Sequence, residues 1–195
     1  MKGFGNKSYS KKTSKKCKYK NPSKEKIINQ AYKFASQGNL LEAEKCYKLF
    51  LKKGFVDARV SMNLAQIFFK DGRLNEAEQS LKKAIEIKPD FPEAHYNLGI
   101  ILKDLDKLEE AELSYRKAIE IKPDIAEAYY NLGIILRDLD KLEEAELSYR
   151  KAIEIKPDYA EAHYNLGIIL KDLNKFKEAE LSYRKAIKIK SDYSE

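Results

Sequence analysis

The sequence predicts an all-α solenoid of five helical hairpins, and three observations carry that expectation. From Pro92 the chain repeats every 34 residues: PEAHYNLGIILKDLDKLEEAELSYRKAIEIKPDI at 92–125 returns at 126–159 with four substitutions, and 160–193 differs from that second copy at seven positions. Inside one copy, apolar residues recur at steps of three and four, first Leu98, Ile101, Leu102 and Leu105, then Leu108, Ala111, Tyr115, Ala118 and Ile119 beyond a short polar break. That is the period of two helices joined by a turn. Prolines close each copy at Pro89, Pro123 and Pro157, because proline lacks a backbone donor and disfavours helical geometry in the residue before it. A unit this short cannot bury its own apolar face and must stack on its neighbours, so function is expected in surfaces.

Taken in order, residues 1–23 form a basic leader. Residues 1–20 hold eight lysines and no acid, supplying +8 against a formal total of +7, so the rest of the chain sums to −1. With few apolar residues, such a segment is expected to be disordered in isolation. Its lysines fit nucleic-acid phosphates or an anionic membrane surface, or serve only as a solubilising leader. Phe4, Tyr9 and Tyr19 are too sparse for a base-stacking platform.

The array is expected over 24–193, as repeats 24–57, 58–91, 92–125, 126–159 and 160–193. The alanine column Ala111, Ala145, Ala179 runs back through Ala77 to Ala43, and the Leu98, Leu132, Leu166 column reaches Leu64. The first two repeats have drifted, with Gly38 and Gly72 at the inner turn where later copies carry Asp106, Asp140 and Asn174. Asp90, Asp124 and Asp158 each precede a glutamate by three residues (Glu93, Glu127, Glu161), the pattern of a reciprocal helix cap.

These residues carry a family resemblance. The columns Leu98, Gly99, Leu102, Ala111, Tyr115, Ala118 and Pro123 resemble the tetratricopeptide repeat (TPR), and the likeness extends over nearly the whole chain after residue 23. The resemblance implies a right-handed superhelix of helix-turn-helix units with a concave groove, working as a protein–protein interaction module. At the fourth position, where the family often shows a large aromatic, this chain has Ile27, Ser61, His95, Tyr129 and His163. The two histidines are read as packing residues with a polar edge, since no partners at metal-ligand spacing accompany them.

On the groove side implied by the family, the sixth position is Asn29, Asn63, Asn97, Asn131 and Asn165 in turn. Asparagine is a poor helix-interior residue, yet its amide offers an acceptor and two donors that match an extended peptide backbone. The row resembles the asparagine ladder of the O-linked N-acetylglucosamine transferase repeat region. The competing reading is that these amides bond within or between repeats. Tyr96, Tyr130 and Tyr164 precede three of the asparagines, and Lys103, Arg137 and Lys171 follow six residues later. The peptide-binding set is therefore Asn63, Asn97, Asn131, Asn165, the three tyrosines and the three cations. Asp104, Asp138 and Asp172 adjoin those cations, and glutamate holds the second position of the regular repeats, which argues against the basic clamp that holds chaperone carboxyl termini.

The last residues, Asp192, Tyr193, Ser194 and Glu195, repeat the opening of Asp158–Glu161, so 194–195 read as the start of a sixth repeat. The face carrying Leu181, Ile187 and Ile189 is then expected to be uncovered, which leaves end-to-end self-association, a capping partner, or the front segment of a longer, glycosyltransferase-like modular protein that recruits substrates. No phosphate loop, activated nucleophile or metal cluster is apparent, so no enzyme activity, cofactor or metal is expected. No apolar run approaches the roughly 20 residues that cross a bilayer, and residues 1–20 lack a signal-peptide core. A cytoplasmic location is the expectation. Cys17 and Cys46 form no disulfide framework.

Overall fold

The computed structural model describes residues 23–192, so the readings placed on residues 1–22 and 193–195 lie outside it. The described residues form ten α-helices and no strand: α1 (Lys24–Ser36), α2 (Leu40–Lys52), α3 (Ala58–Lys70), α4 (Leu74–Ile87), α5 (Pro92–Asp104), α6 (Leu108–Ile121), α7 (Ala126–Asp138), α8 (Leu142–Ile155), α9 (Ala160–Asp172) and α10 (Phe176–Asp192). The architecture is the all-α repeat solenoid that the 34-residue period predicts.

The chain divides into two compact bodies, one ending at Phe55 and one beginning at Val56. The first holds the α1–α2 hairpin. Ile27, Ala31, Ala43, Tyr47 and Phe50 form its core, and the Tyr32 and Tyr47 rings meet edge to face at 6.1 Å. The second body holds the four hairpins α3–α4, α5–α6, α7–α8 and α9–α10, with α4, α6 and α8 each packing on the helix that follows.

Every inner turn solves one steric problem in the same way. Gly38 and Gly72 have φ of +72°, Asp106 and Asp140 +58°, and Asn174 +60°. A left-handed residue costs little for glycine and is tolerated by Asn and Asp better than by other side chains, so the drifted and regular repeats use different members of one short list. Helices α4, α6 and α8 each stop at the isoleucine two residues before a proline: Ile87, Ile121 and Ile155. The fifth repeat has Ser191 at the proline position, and α10 runs through it to Asp192.

One expectation is corrected and another holds in part. The aspartates are not the N-cap residues. Asp90, Asp124 and Asp158 stand in the turn, and the N-cap residues are Phe91, Ile125 and Tyr159, with no side-chain capping bond. At α5 packing outranks the cap, because Phe91 is buried and Pro92 at the first helical position has no amide proton to satisfy. The side-chain caps that do form belong to earlier helices, where Ser23, Asn39 and Asp57 accept from Lys26, Glu42 and Arg59 amides.

The face expected to be uncovered on the last hairpin is open at Ile187 but closed at Ile189. Ile189 is buried, and Leu181, 67 % exposed, matches Leu113 and Leu147 at 68 % and 65 % inside the array. Leu181 therefore marks an outward-facing column. Ile187 is 67 % exposed, whereas Ile119 and Ile153 at the same position are half-buried. Tyr183 and Glu180 are likewise more open than their buried counterparts Tyr115, Tyr149, Glu112 and Glu146.

Candidate functional site

The site is built on the first helices of the hairpins in the second body, and its geometry starts from a glycine. Gly99, Gly133 and Gly167 face the rings of Tyr115, Tyr149 and Tyr183 so closely that an added Cβ would lie 2.7, 2.7 and 2.6 Å from a ring carbon. Glycine is required by that approach. The close fit seats Tyr115 and Tyr149 fully within the hairpin, and burial pushes both phenols far above the usual tyrosine range. Their hydroxyls make no hydrogen bond among the described residues.

On each buried tyrosine leans a second one from the site. Tyr96 and Tyr115 rings lie 5.9 Å apart, Tyr130 and Tyr149 5.9 Å, and Tyr164 and Tyr183 5.6 Å, at tilts in the favourable range for aromatic pairs. This stacking turns the Tyr96 and Tyr130 hydroxyls toward the next repeat. There the Asn131 amide donates to Tyr96 Oη at 3.1 Å, and the Asn165 amide donates to Tyr130 Oη at 3.2 Å. The asparagine row is thus bonded between repeats at these two positions. Each amide spends one N–H on this bond and keeps an acceptor and a second N–H.

Asn97 differs. The residue one repeat earlier that corresponds to Tyr96 is Met62, which has no hydroxyl to offer, and the Asn97 side chain has no hydrogen-bond partner among the described residues. Asn63 is half-buried on α3.

The cation column is uneven. Lys103 Nζ lies 3.9 Å from Asp104, and Arg137 lies 2.8 Å from Asp138. The bond to Asp138 raises the Arg137 guanidinium above its ordinary value. Lys171 is exposed and has no carboxylate partner among the described residues. Tyr164, 53 % exposed, is the most open tyrosine of the row. The histidines turn away from this face: His95 Nε2 sits 2.8 Å from the Pro89 carbonyl and His163 Nε2 3.0 Å from the Pro157 carbonyl. Among the described residues no group of His, Cys, Asp or Glu could hold a metal ion.

One feature of this face belongs to no single residue of the sequence. Between α3, α4 and α5 lies a small pocket of about 60 Å³ lined by Ala65, Gln66, Phe69, Leu81, Asn97 and Ile100. Four of its lining residues are departures of the second repeat: Ala65 for glycine, Gln66 for isoleucine, Phe69 for a cation and Leu81 for the buried tyrosine. Those departures are visible in an alignment of the repeats, but only the packing shows that they leave space.

A charge network ties the repeats together on the other helices. Glu78, Glu112 and Glu146 are nearly buried, and each bonds a cation one turn on in its own helix and a lysine of the next repeat: Lys107 at 2.8 Å, Lys141 at 2.7 Å and Lys175 at 2.7 Å. Burial pushes these carboxyls up, but the hydrogen bonds from the two cations outweigh it and hold each below its ordinary value of 4.5.

Fold and site together define a helical-hairpin repeat protein. Two profiles described as "TPR repeat" and "Tetratricopeptide repeat" match residues 65–106 and 134–173 and residues 92–125 and 160–193, and a further tetratricopeptide profile matches 114–146. The matches run without a gap from 65 to 193, and the chain belongs to the tetratricopeptide repeat proteins. A search of curated proteins returned no match. Among solved structures the chain is similar to MamA, at 26 % identity and a TM-score of 0.80 over 84 % of this chain and 96 % of that one. It is also similar to MamA from Desulfovibrio magneticus RS-1, residues 41 to the end, at 20 % identity, a TM-score of 0.80, and 87 % and 96 % coverage. A third is YrrB, a TPR protein with an unusual peptide-binding site, at 24 % identity, a TM-score of 0.78, and 88 % and 89 % coverage. No helix of the described residues is long and apolar enough to cross a membrane.

Proposed function

We propose that the chain is a non-enzymatic interaction scaffold that holds an extended peptide segment of a partner protein along the first-helix face of its second body. The carrying observation is the Tyr96–Asn131 and Tyr130–Asn165 pairs. Each tyrosine fixes the rotamer of the next asparagine, leaving one carbonyl and one N–H aimed away from the bond, so the amides are preorganised at the spacing of the repeat. Peptide backbones present both hydrogen-bonding groups whatever their side chains, and preorganised partners reduce the ordering cost of binding. The likeness to the groove asparagines of O-linked N-acetylglucosamine transferase belongs to this reading. So does the description of YrrB as a peptide-binding TPR protein, which says what one protein of the same fold does.

The experiment compares three proteins of matched helicity and melting temperature in affinity capture, with captured partners dissected into overlapping peptides. These are the intact chain, Asn97→Ala with Asn131→Ala and Asn165→Ala, and Tyr96→Phe with Tyr130→Phe. Peptide gripping requires that the asparagine variant lose the partner peptides and that the tyrosine variant, whose amides are no longer held, bind them more weakly than the intact chain without losing them. If all three capture the same peptides equally, the asparagines serve only the stacking of repeats and the proposal fails.

A further inference from the structure

We infer that the pocket between α3, α4 and α5 is the anchor of this face, taking one leucine- or methionine-sized aliphatic side chain of an extended peptide, with an acidic residue beside it. The inference rests on the peptide-binding reading and adds which residue the peptide must carry.

The pocket's size and chemistry set the occupant. Its 60 Å³ corresponds to roughly four water-sized spheres at about 15 Å³ each, the number of heavy atoms in a leucine side chain. Leu81, Ala65 and Ile101 are almost wholly buried at its floor, and Phe69, 40 % exposed, forms a wall. Water held against such a surface gains few hydrogen bonds, so an aliphatic group displaces it favourably. A tryptophan is too large for the space, and a charged group would lose its hydration there.

Two polar groups sit at the pocket without partners. Asn97 and Gln66 both line it, and neither side chain has a hydrogen-bond partner among the described residues. In the two repeats that follow, the asparagine column is bonded to a tyrosine hydroxyl; at this one regular repeat the amide is left for a ligand. An aliphatic side chain in the pocket brings its own backbone N–H and C=O to these amides.

The charge around the pocket selects the neighbouring residue. Lys70 directly follows Phe69, is exposed, and has no carboxylate partner among the described residues. Lys103 is three residues past Ile100 on α5, one helical turn away, and its ammonium is no nearer than 3.9 Å to Asp104. Of the carboxylates beside these two cations, Asp104 lies 3.9 Å from Lys103 and Asp71 faces Arg73 at 4.0 Å, so the Lys70 ammonium is the group left near the pocket for an aspartate or glutamate flanking the anchor. In the regular repeats the position of Phe69 is a cation and that of Lys70 an aspartate, so neither the apolar wall nor the positive rim is repeated.

The test is an NMR titration of the full chain with acetylated, amidated Gly/Ser octapeptides that vary one central residue, with and without an adjacent glutamate. The expected result is that leucine and methionine peptides shift the Asn97 side-chain amide and the Leu81 and Ile101 methyls. Alanine should bind at least tenfold more weakly, and the adjacent glutamate should tighten binding in a salt-sensitive way. A variant that rebuilds the regular repeat, Met62→Tyr with Ala65→Gly and Leu81→Tyr, should fold and lose the shifts, since the hydroxyl introduced at position 62 would bond Asn97 and the ring introduced at position 81 would fill the space. Equal affinity for alanine and leucine, or unchanged binding by the rebuilt variant, overturns the anchor. Shifts at Tyr130, Tyr164 or Lys171 without any at the pocket overturn it while leaving the peptide-binding reading standing; no shift on any first helix overturns both.

Discussion

The second repeat and the third adopt one backbone hairpin with different interiors. In residues 92–125 a glycine admits a buried tyrosine, that tyrosine supports a second, and the second holds an asparagine of the next repeat. In residues 58–91 alanine, leucine and methionine occupy those places, the chain of contacts is cut, and a pocket with an unpartnered amide results. The hairpin therefore tolerates exchange of its interior only as a coupled set. Gly with Tyr and Ala with Leu are each consistent, and mixing them is not.

The sharpest way to break the comparison is to mix the sets. Gly133→Val places its side chain on the Tyr149 ring, where even a Cβ would sit at 2.7 Å, and should cost about 3 kcal/mol, the upper end for overpacking a dense core. Adding Tyr149→Leu should recover much of that loss; urea denaturation of the two variants decides. If Gly133→Val alone is neutral, the glycine–tyrosine coupling is wrong.

Acid should act next most strongly, through the carboxylates that stitch repeats together. Glu78, Glu112 and Glu146 titrate below 4.5 in the folded chain. Their contribution is therefore fully present above the unfolded-chain value and is lost as pH falls through the lower folded-state value, because the unfolded chain takes up protons first. The melting temperature is expected to drop as pH goes from about 6 to about 3, and less steeply for a Glu78→Gln, Glu112→Gln, Glu146→Gln variant.

A single link of that network gives a smaller effect with an internal control. Glu112→Gln weakens bonds to Arg116 and Lys141 and should cost about 1 kcal/mol. Glu180 holds the same position in the last repeat, but its side chain is 62 % exposed and bonded to Arg184, so Glu180→Gln should leave the urea midpoint unchanged. Equal effects from both would show that burial between repeats adds nothing to these pairs.

The inner turn offers the smallest shift. Asp140 at φ +58° accepts a conformation that disfavours L-residues by about 1–2 kcal/mol, and glycine there loses about 0.5–1 kcal/mol of unfolded-chain entropy. Asp140→Gly should therefore stabilise by about 0.5 kcal/mol. Gly72→Asp should do the reverse, read as opposite shifts in thermal midpoint.

What could be read in advance follows from where each feature's physics resides. The hairpins, their proline stops and their left-handed turns are local: a 3–4 residue apolar period, a missing amide proton at Pro123, a short list of residues that accept positive φ at position 106. A chain of these residues has few other options. The asparagine column was legible as a pattern, but what the asparagines touch was not, because Tyr96 and Asn131 stand 35 residues apart and meet only when repeats stack.

The caps show the same division in the opposite direction. Asp124 and Glu127 have the spacing of a reciprocal cap, yet the helix starts at Ala126 behind Ile125, as α5 starts behind the buried Phe91. The order of residues was enough to settle the class of fold, the period and the turn chemistry, since those rest on the conformational limits of single residues. Stacking of the repeats settled which amide is left without a partner, which space stays unfilled and which isoleucine is bare. Those outcomes depend on the volumes and hydroxyls that neighbouring repeats bring to a shared face.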